Sequence, residues 1–512
     1  MTNGAELLIA QALELGLDTC FANPGTTELP MVLALDSRPG LRSVLGLHEN
    51  VCSGAADGYA RIAGKPAMTI LHLGPGFANS IANQHNARRA FSPVINFVGE
   101  HASWHIAADP PLNSDIESLA RPVSAFVRRS MSAGGIPRDL REAHASAISR
   151  RGSVSTLILP HDHLLASASE DTLGPCLPRT AYPQLDDDSI EQAARLLDKA
   201  QRPAMLIGGN ALHGAGLAAA GRTGVTLIAE GSFARLETGR GRPFMLRLPY
   251  FPDQAKAMLD RFDAVVVCGT KLPVSFFGYD DHPSRYLDGR DDVVQIAGAD
   301  DDAVGAMQAL AERLRRKGLL GDAPEIVQPS PGDALTTANL ADILTMAMPE
   351  DAISVVTAVS SAADFYTRSA AAAPHTQIAL TGGAIGEGSA LSLGAAVAGG
   401  GRPVVALEAD GSAAYIVQAL YSHAREGLDI TTVICSNRRY NILDVEVRRA
   451  GVQNAGPHTR SLADLGQPPI DWVSLARGFG VQASRATTVE ELDKALRRGI
   501  AEPGPSLIEA VI

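Results

Sequence analysis

The chain has 512 residues, which is too long for one hydrophobic core and fits two to four domains of ordinary size. Hydrophobic residues make up 46% and charged residues 20% of the sequence, as is typical of globular proteins. The formal net charge of -12 argues against nucleic-acid binding, which needs a clustered Lys/Arg face, and no apolar run has the length that a membrane span requires.

Short apolar runs alternate with helical patterns from the first residues onward, and this alternation predicts parallel sheets covered by helices on both faces. In the first unit the predicted strands are residues 18–22, 67–72, 94–98 and 154–159. Residues 173–183 are rich in proline and turn-forming residues, and they predict a linker.

The second unit begins with a helix predicted at residues 188–199, capped by Ser189 or by the aspartates before it. The strands predicted after it are residues 204–207, 225–229, 264–267 and 293–296. A second linker is predicted at residues 323–333, which contain three prolines.

The third unit has strands predicted at residues 353–356, 404–407, 431–435 and 506–512. We therefore predict an α/β protein with three doubly wound parallel-sheet domains, at residues 1–170, 184–325 and 334–512. The first and third units are alike in size and alternation, which suggests a weak duplication. Two such domains around a middle one can hold an elongated cofactor by its two ends.

The strongest chemical signal is Asp410, followed by Gly411 and Ser412, together with Asn437. Asp410 follows one predicted strand and Asn437 the next, so their oxygens converge at one edge of a parallel sheet. A carboxylate and an amide oxygen suit Mg²⁺ that also binds ligand phosphates. Gly411 and Ser412 open a predicted helix whose N–H groups would face those phosphates. The alternative is an ordinary turn with a helix cap.

This segment resembles the diphosphate-binding motif of thiamine-diphosphate enzymes, with Ala409 for the usual first glycine and Ser436 for the first asparagine. Further motifs occur in the order found in benzoylformate decarboxylase and acetolactate synthase, and the resemblance covers essentially the whole chain. These motifs are N-P-G-T-T-E from Asn23, H-E-N from His48, L-H-L-G-P-G from Leu71 and T-G-G-A-I-G from Thr381. The chain is thus identified as a member of that decarboxylase and synthase family.

The resemblance implies a pyrimidine-binding first domain, a central domain and a diphosphate-binding third domain. The implied catalytic residues are Glu49, which activates the cofactor through its aminopyrimidine ring, His72 and Thr26. Burial that raises the pKa of a carboxyl would suit the role of Glu49. A solvated Glu49 and a purely structural His72 are the alternatives.

The resemblance also implies residues that bind the cofactor and the metal. Gly383 would offer its carbonyl to the aminopyrimidine, and Ile385 would hold thiamine in its bent form. The implied cofactor-binding set is Gly383, Ile385, Ser360, Asp410, Gly411, Ser412, Asn437 and Tyr440, and the implied metal contacts are Asp410, Asn437 and the backbone carbonyl of Arg439.

The implied reaction is decarboxylation of a small 2-oxo acid through an enamine intermediate, with thiamine diphosphate and Mg²⁺. The second histidine of benzoylformate decarboxylase is matched by Gly278, although His282 lies nearby. Carboligation to a second carbonyl compound, as in acetolactate synthase, therefore gains weight. A cofactor-binding protein without turnover and a nucleotide-dependent oxidoreductase are the alternatives of other classes.

Further expectations concern other ligands, assembly and compartment. The glycines at residues 208–216 fit a dinucleotide loop poorly, so FAD is not expected. Because the two ends of the cofactor are bound by different subunits in the family, a homodimer is the implied minimum and a homotetramer the usual form. Five scattered cysteines without a C-x-x-C spacing favour a cytoplasmic protein without disulfides or structural zinc. Loops at residues 100–105 and 276–282 are candidates for lining the substrate pocket.

Overall fold

A computed structural model describes residues 2–315, 318 and 323–512. It confirms the predicted fold class, because three mostly parallel sheets lie between layers of helices. The first sheet has six parallel strands in the order β3-β2-β4-β5-β7-β6, and a short antiparallel pair, β1 with β8, lies beside it. The strands are β1 (Thr2–Asn3), β2 (Thr19–Asn23), β3 (Arg42–Leu45), β4 (Ala67–Leu71), β5 (Val94–Glu100), β6 (Phe126–Arg129), β7 (Val154–Pro160) and β8 (Ser167–Ala168).

Helices cover both faces of this sheet and bury two separate apolar clusters, one on each face. The helices are α1 (Gly4–Glu14), α2 (Leu29–Ser37), α3 (Glu49–Ala63), α4 (Leu73–Ala90), α5 (Ile116–Ala120), α6 (Ile136–Ala147) and α7 (His161–Leu165). Local residue chemistry explains where α1 starts and where α3 ends. An Asn3 capping box starts α1, and Gly64 ends α3 with a φ of 67°, a conformation that glycine adopts without strain.

The central sheet has five parallel strands in the order β12-β10-β9-β13-β14, which is the arrangement of a doubly wound fold. Its strands, with β11 from the same segment, are β9 (Pro203–Ile207), β10 (Thr226–Ala229), β11 (Arg235–Thr238), β12 (Met245–Arg247), β13 (Ala264–Cys268) and β14 (Val293–Ala297). The helices are α8 (Asp187–Lys199), α9 (Gly214–Ala220), α10 (Pro252–Leu259) and α11 (Ala303–Arg313). As predicted, an aspartate caps α8: the side chain of Asp186 accepts a hydrogen bond from the backbone of Asp188.

The third sheet has seven strands in the order β11-β16-β15-β17-β18-β20-β19. Its own strands are β15 (Ile353–Val356), β16 (His375–Ala379), β17 (Val404–Ala409), β18 (Ile430–Ser436), β19 (Gln482–Ala486) and β20 (Ser506–Val511). Its helices are α12 (Thr337–Ala347), α13 (Ala363–Arg368), α14 (Gly388–Ala398), α15 (Asp410–Ala413), α16 (Ala419–Glu426), α17 (Asn441–Arg449), α18 (Pro457–Ala463), α19 (Trp472–Gly478) and α20 (Val489–Ala501).

The six strands that the third unit contributes have the same order as the first sheet: second, first, third, fourth, sixth and fifth along the chain. This agreement is what a duplicated domain produces. The sequence patterns did not predict β11, a strand from the central segment that joins the third sheet antiparallel to β16. Its alternation of half-buried and buried residues fits an edge strand.

The first and third domains are packed together through α3 and α14. Residues of α14 and of α16 complete the apolar cluster on one face of the first sheet. Glycines allow the two helices to approach closely, because a Cβ on Gly58 would collide with the carbonyl of Leu391 and a Cβ on Gly394 with the carbonyl of Ala55. The two helices therefore touch backbone to backbone, which fixes the carboxyl edges of both sheets relative to each other.

Candidate active site

His72 lies at the carboxyl edge of the first sheet, directly after β4 and at the cap of α4. Strand β4 ends at Leu71, one residue before the end that the sequence predicted. Nδ1 of His72 is 2.7 Å from Oε2 of Glu28, which is fully buried. Glu28 also accepts hydrogen bonds from the backbone N–H of Gly25 at 2.8 Å and from the hydroxyl of Thr27 at 2.6 Å. The carboxylate of Glu28 thus holds the imidazole ring through Nδ1, and the His72 side chain is 27% exposed.

Sequence reasoning gave Glu28 no role, although it stands in the N-P-G-T-T-E motif. The glycines around it show how closely this group is packed. A Cβ on Gly99 would collide with the carboxylate of Glu28, and a Cβ on Gly25 would collide with the His72 ring. Thr26 lies in the same turn, Thr26–Glu28, with its side chain exposed. The structure therefore places Thr26 beside His72.

Glu49 is the first residue of α3 and is only 7% exposed. Its Oε2 accepts a hydrogen bond of 3.0 Å from the amide of Asn79 on α4. A Cβ on Gly76 would be 2.8 Å from Oε1 of Glu49 and 3.2 Å from Cβ of His72, so both side chains border the same glycine. The structure brings Glu49 and His72 together. Asn79 is a second residue that sequence reasoning missed, and its helical spacing from His72 and Gly76 is the signal that would have found it.

Asp410 follows β17 and Asn437 follows β18, the neighbouring strand, so both residues lie at the carboxyl edge of the third sheet. The Asp410 side chain is 2% exposed, and its oxygens accept hydrogen bonds from the backbone N–H groups of Gly411 at 2.8 Å and Arg438 at 2.6 Å. Burial raises the pKa of Asp410, while these N–H groups oppose the rise. The geometry places the two predicted metal ligands side by side.

The turn after Asn437 is held tightly. Oδ1 of Asn437 accepts a hydrogen bond of 2.9 Å from the backbone N–H of Arg439, and Arg438 adopts a left-handed φ of 58°. The carbonyl of Arg438 accepts a hydrogen bond of 2.8 Å from Leu465, which leaves the next carbonyl, that of Arg439, as the candidate contact. Tyr440 covers Gly411, since a Cβ on that glycine would be 2.5 Å from the tyrosine ring.

The helix predicted at Gly411 and Ser412 is a single turn, α15, and the chain resumes a helix only at α16. Between the two helices, Ile416 belongs to the apolar cluster shared with the first domain. The hydroxyl of Ser412 accepts a hydrogen bond of 3.0 Å from the backbone N–H of Gly386 and donates one of 3.3 Å to Glu408. Ser360 lies 3.5 Å from the amide of Asn441, close to the turn that begins at Asn437.

Glu408 is a third residue without a predicted role. It is fully buried two positions before Asp410, and its Oε2 accepts a hydrogen bond of 2.7 Å from Ser389. Burial raises the pKa of Glu408 to about 7, although hydrogen bonds from Ser389 and Ser412 lower it. The edge that carries the predicted metal ligands thus contains, beside Asp410, a second buried carboxyl group whose pKa is raised.

A buried ion network joins the first domain to this edge. Arg61 forms an ion pair of 2.5 Å with Asp57 and lies 3.5 Å from Glu387, the residue before α14. Arg61 also donates a hydrogen bond of 2.6 Å to the carbonyl of Ala379, at the end of β16. Burial raises the pKa of Glu387 well above its ordinary value, despite the nearby Arg61. The network holds the chain that leads from β16 into the T-G-G-A-I-G segment.

Residues 382–386 of that segment contain the predicted cofactor contacts Gly383 and Ile385. Gly383 and Gly386 have positive φ values of 79° and 85°. A Cβ on Gly383 would be 2.5 Å from the ring of Phe276, which belongs to the central domain. Ile385 is half-buried. The segment is therefore a glycine-dependent turn whose outer side touches the central-domain loop.

The central-domain loop carries a group of aromatic side chains near Gly278. The rings of Tyr250 and Phe276 are 5.0 Å apart, as are those of Phe276 and Phe277. A Cβ on Gly278 would meet no atom within 4 Å, and His282 is half-buried with its ring 6.5 Å from that of Tyr279. The structure therefore places Phe276, and not His282, against Gly383.

No helix in the described residues is both long and apolar enough to cross a membrane. No group of three or more His, Cys, Asp or Glu side chains in the same residues is arranged to hold a metal ion. A metal bound at Asp410 would therefore need the amide, carbonyl and phosphate ligands that the sequence predicted. All five cysteines carry free thiols, and four of them are buried.

Comparisons with known proteins agree with this geometry. Residues 2–118 match the family described as "Thiamine pyrophosphate enzyme, N-terminal TPP binding domain", and residues 356–510 match the corresponding C-terminal TPP binding domain. A Mycobacterium tuberculosis protein that carries the name of an acetolactate synthase large subunit is 42% identical over 100% of this chain and 99% of its own. Benzoylformate decarboxylase of Pseudomonas aeruginosa is 28% identical over 96% of each chain.

The solved structure of a thiamine diphosphate-dependent 4-hydroxybenzoylformate decarboxylase from Rhodococcus jostii RHA1 is similar with a TM-score of 0.87. Its sequence is 25% identical to this chain, and the match covers 99% of both chains. The chain belongs to the thiamine pyrophosphate enzyme family. Within that family it is related to both benzoylformate decarboxylase and acetolactate synthase, which confirms the resemblance found in the sequence.

Proposed function

We propose that this protein decarboxylates a small 2-oxo acid with thiamine diphosphate and Mg²⁺, in the manner of benzoylformate decarboxylase. The observation that supports this proposal most is that two groups of side chains lie at the carboxyl edges of two sheets. One group is Glu49 with His72, and the other is Asp410 with Asn437. Two edges of this kind suit a cofactor that has a ring at one end and a diphosphate at the other.

The residues of the third sheet fit the cofactor and its metal. Asp410 and Asn437 present hard oxygen ligands beside a turn whose backbone is fixed by hydrogen bonds. Gly383 and Gly411 have no room for a side chain, because a Cβ would meet the rings of Phe276 and Tyr440, so the backbone of each glycine packs closely at this edge. Asp410, Asn437 and the carbonyl of Arg439 would hold Mg²⁺. Gly383, Ile385, Ser360, Gly411, Ser412 and Tyr440 would contact the remainder of the cofactor.

When bound, thiamine diphosphate supplies a nucleophilic carbon and a ring that accepts the electrons released with CO₂. Glu49 would hold the proton on the ring nitrogen of the aminopyrimidine, with Asn79 keeping its carboxyl in place. His72 would exchange a proton with the substrate oxygen through Nε2, because Nδ1 is held by Glu28. Thr26, exposed beside His72, would bind the substrate carboxylate.

A second candidate reaction is carboligation to another carbonyl compound, as in acetolactate synthase. The aromatic contact of Phe276 with Gly383 favours it, because a phenyl ring has no proton to donate after CO₂ has left. A slow final protonation gives a second carbonyl compound time to react. His282, half-buried in the same loop, is the residue that would restore protonation if the loop moved.

We also propose that the active form contains at least two copies of the chain, with a homotetramer as the full assembly. Each site would combine Glu49, His72 and Thr26 of one copy with the third domain of another. Exposed apolar side chains flank both groups, as an interface between copies requires. They are Leu29, Leu33 and Leu47 in the first domain and Tyr415, Leu443 and Leu462 in the third.

FAD is not part of the proposal, because the glycines at residues 208–216 fit a dinucleotide loop poorly. The carboxylate of Glu230 occupies the glycine loop of the central domain. It accepts hydrogen bonds from the backbone N–H of Gly209 at 3.0 Å and from the hydroxyl of Thr270 at 2.6 Å. The free thiols agree with the proposed cytoplasmic location.

The test is CO₂ release from a panel of 2-oxo acids by the purified protein, with and without thiamine diphosphate and Mg²⁺, beside Glu49→Gln. We expect release that requires the cofactor and falls at least about a hundredfold in the variant, as loss of a general acid-base group does. Product analysis with an added aldehyde separates decarboxylation from carboligation. Saturable cofactor binding without CO₂ release from any acid would refute the proposal and favour a binding protein without turnover.

A further inference from the structure

Helix α4 contacts two groups of proposed site residues within one chain. It starts beside His72 and carries Asn79, which contacts Glu49, while its far half reaches the cofactor-binding segment of the third domain. Asn86 lies in that far half, fully buried. The sequence motifs and the family comparisons assign Asn86 no role.

The side chain of Asn86 forms paired hydrogen bonds with the backbone of Ala384. Its Nδ2 donates to the Ala384 carbonyl at 2.8 Å, and its Oδ1 accepts from the Ala384 N–H at 3.3 Å. The backbone carbonyl of Asn86 accepts a hydrogen bond of 2.8 Å from the hydroxyl of Thr381. A Cβ on Gly382 would collide with Oδ1 of Asn86, so the segment lies directly against this side chain.

Two neighbours on α4 extend the contact. Nε2 of His85 is 3.2 Å from the carbonyl of Gly382, and the amide of Asn83 donates to the carbonyl of Gly386 at 3.3 Å. Residues 382, 384 and 386 are therefore held by α4, whereas the intervening Gly383 contacts Phe276 of the central domain and Ile385 is half-buried. The backbone conformation of the two proposed cofactor contacts, Gly383 and Ile385, therefore depends on hydrogen bonds from α4 to the residues on either side of them.

We propose that Asn86 is a positioning residue that sets the cofactor-binding conformation of residues 382–386. This inference rests on the proposed function. It also has a consequence for the dimer. Asn86 acts on the third domain of its own chain, whereas Glu49, on the neighbouring helix of the same domain, serves the site completed by the partner copy. One domain thus contributes to two different active sites.

The first test compares Asn86→Ala with Gln84→Ala. Gln84 is equally buried on α4, but its amide donates to Asn96 inside the first domain. We expect both variants to lower the melting temperature of the cofactor-free protein. Only Asn86→Ala should weaken thiamine diphosphate binding with Mg²⁺, by about tenfold or more in calorimetric titration, because two hydrogen bonds to the segment are lost. Gln84→Ala should stay within about twofold.

Hydrogen exchange gives a readout that does not involve the cofactor. The amide of Ala384 is bonded to Asn86, so a peptide covering residues 382–386 should exchange faster in Asn86→Ala than in Gln84→Ala. Equal exchange and equal cofactor affinity in the two variants would overturn the proposal. Should Asn86→Ala fail to fold, Asn86→Asp keeps the shape and the acceptor, removes the donor, and should change both readouts in the same direction.

The second test uses hybrid dimers purified through two different tags, one on each subunit. In a hybrid of Glu49→Gln with Asn86→Ala, both defects fall in one site if Asn86 serves the third domain of its own chain. About half of the wild-type activity should remain. If Asn86 instead acted on Glu49 and His72 of its own chain, both sites would be defective, and at limiting thiamine diphosphate the hybrid would fall well below half of the wild-type activity, which would overturn the proposal.

A control hybrid of Glu49→Gln with Asp410→Asn separates this inference from the proposed function. It should also keep about half of the wild-type activity, since the two defects again share one site. An inactive control hybrid would refute the sharing of sites between copies, and cofactor affinity and hydrogen exchange would then decide the role of Asn86. An active control with an Asn86 hybrid well below half of the wild-type activity would refute the role of Asn86 alone.

Discussion

The buried carboxyl of Glu387 gives a prediction about stability that depends on pH. Glu387 is fully buried next to α14, with Oε1 3.5 Å from Arg61 and with Asp57 and Glu408 close by. Burial raises its pKa well above the ordinary value, and the two neighbouring carboxyls raise it further, whereas Arg61 lowers it. Asp57 takes the paired hydrogen bonds of Arg61 at 2.7 and 2.5 Å, so Arg61 only partly offsets the effect of burial on the pKa of Glu387.

The direction of the pH effect follows from proton counts. Above the ordinary value of 4.5 the unfolded chain releases the proton of Glu387, while the folded protein keeps it. Folding therefore binds a proton, and the free energy of unfolding falls as pH rises, by about 1.4 kcal/mol per pH unit, until the folded pKa is reached. Glu408, whose pKa is raised to about 7, adds a loss of the same sign between its ordinary value and pH 7.

The perturbation is Glu387→Gln, which copies the shape of the protonated carboxyl but does not titrate. Urea unfolding at pH 5, 6 and 7 should show that the variant loses less stability with rising pH than the wild type, by up to about 1.4 kcal/mol per pH unit. The matched variant Asp57→Asn, which removes the charge that pairs with buried Arg61, should cost about 3 kcal/mol or more. Parallel pH dependences in the wild type and Glu387→Gln would show that Glu387 is ionised.

Two further predictions concern the site. Glu28→Gln replaces a carboxylate that accepts from three donors, so His72 loses its fixed orientation, and kcat should fall about tenfold or more; a pH–rate profile identical to that of the wild type would argue against this role. Gly383→Ala forces a Cβ to within 2.5 Å of the Phe276 ring at a φ of 79°. The strain is about 1–3 kcal/mol, and titration should show cofactor affinity reduced about tenfold or more, which unchanged affinity would contradict.

Patterns local in the sequence predicted the fold well. Alternating apolar runs located the strands that precede Asp410 and Asn437, because a buried parallel strand is a short apolar run that ends at a turn. The first and third units, which have similar sequence patterns, also have the same strand order in the structure. The pairing of β11 with the third sheet was not predictable in this way, since an edge strand carries a weak pattern and its partner is about 140 residues away.

The residues of the candidate site also differ in whether a local sequence pattern predicts them. Glu49, His72, Asp410 and Asn437 stand in short motifs at strand and helix ends, where the chemistry of a few adjacent residues indicates their surroundings. Glu28 stands in such a motif too, but a glutamate in a turn is usually solvated, and only the packing of Gly99 against it reveals a buried partner of His72.

Asn86 makes a contact that no local sequence pattern indicates. Its partner, Ala384, lies 298 positions further along the chain, and an asparagine in the middle of a helix is ordinarily a solvated residue. The close approach of α3 to α14 makes the contact possible, because Gly58 and Gly394 remove the side chains that would separate the two domains. The same approach places the Arg61 network behind residues 379–381. The backbone that would bind the cofactor is therefore shaped by side chains of the first domain, and substitutions at this helix contact should alter cofactor affinity without touching a cofactor ligand.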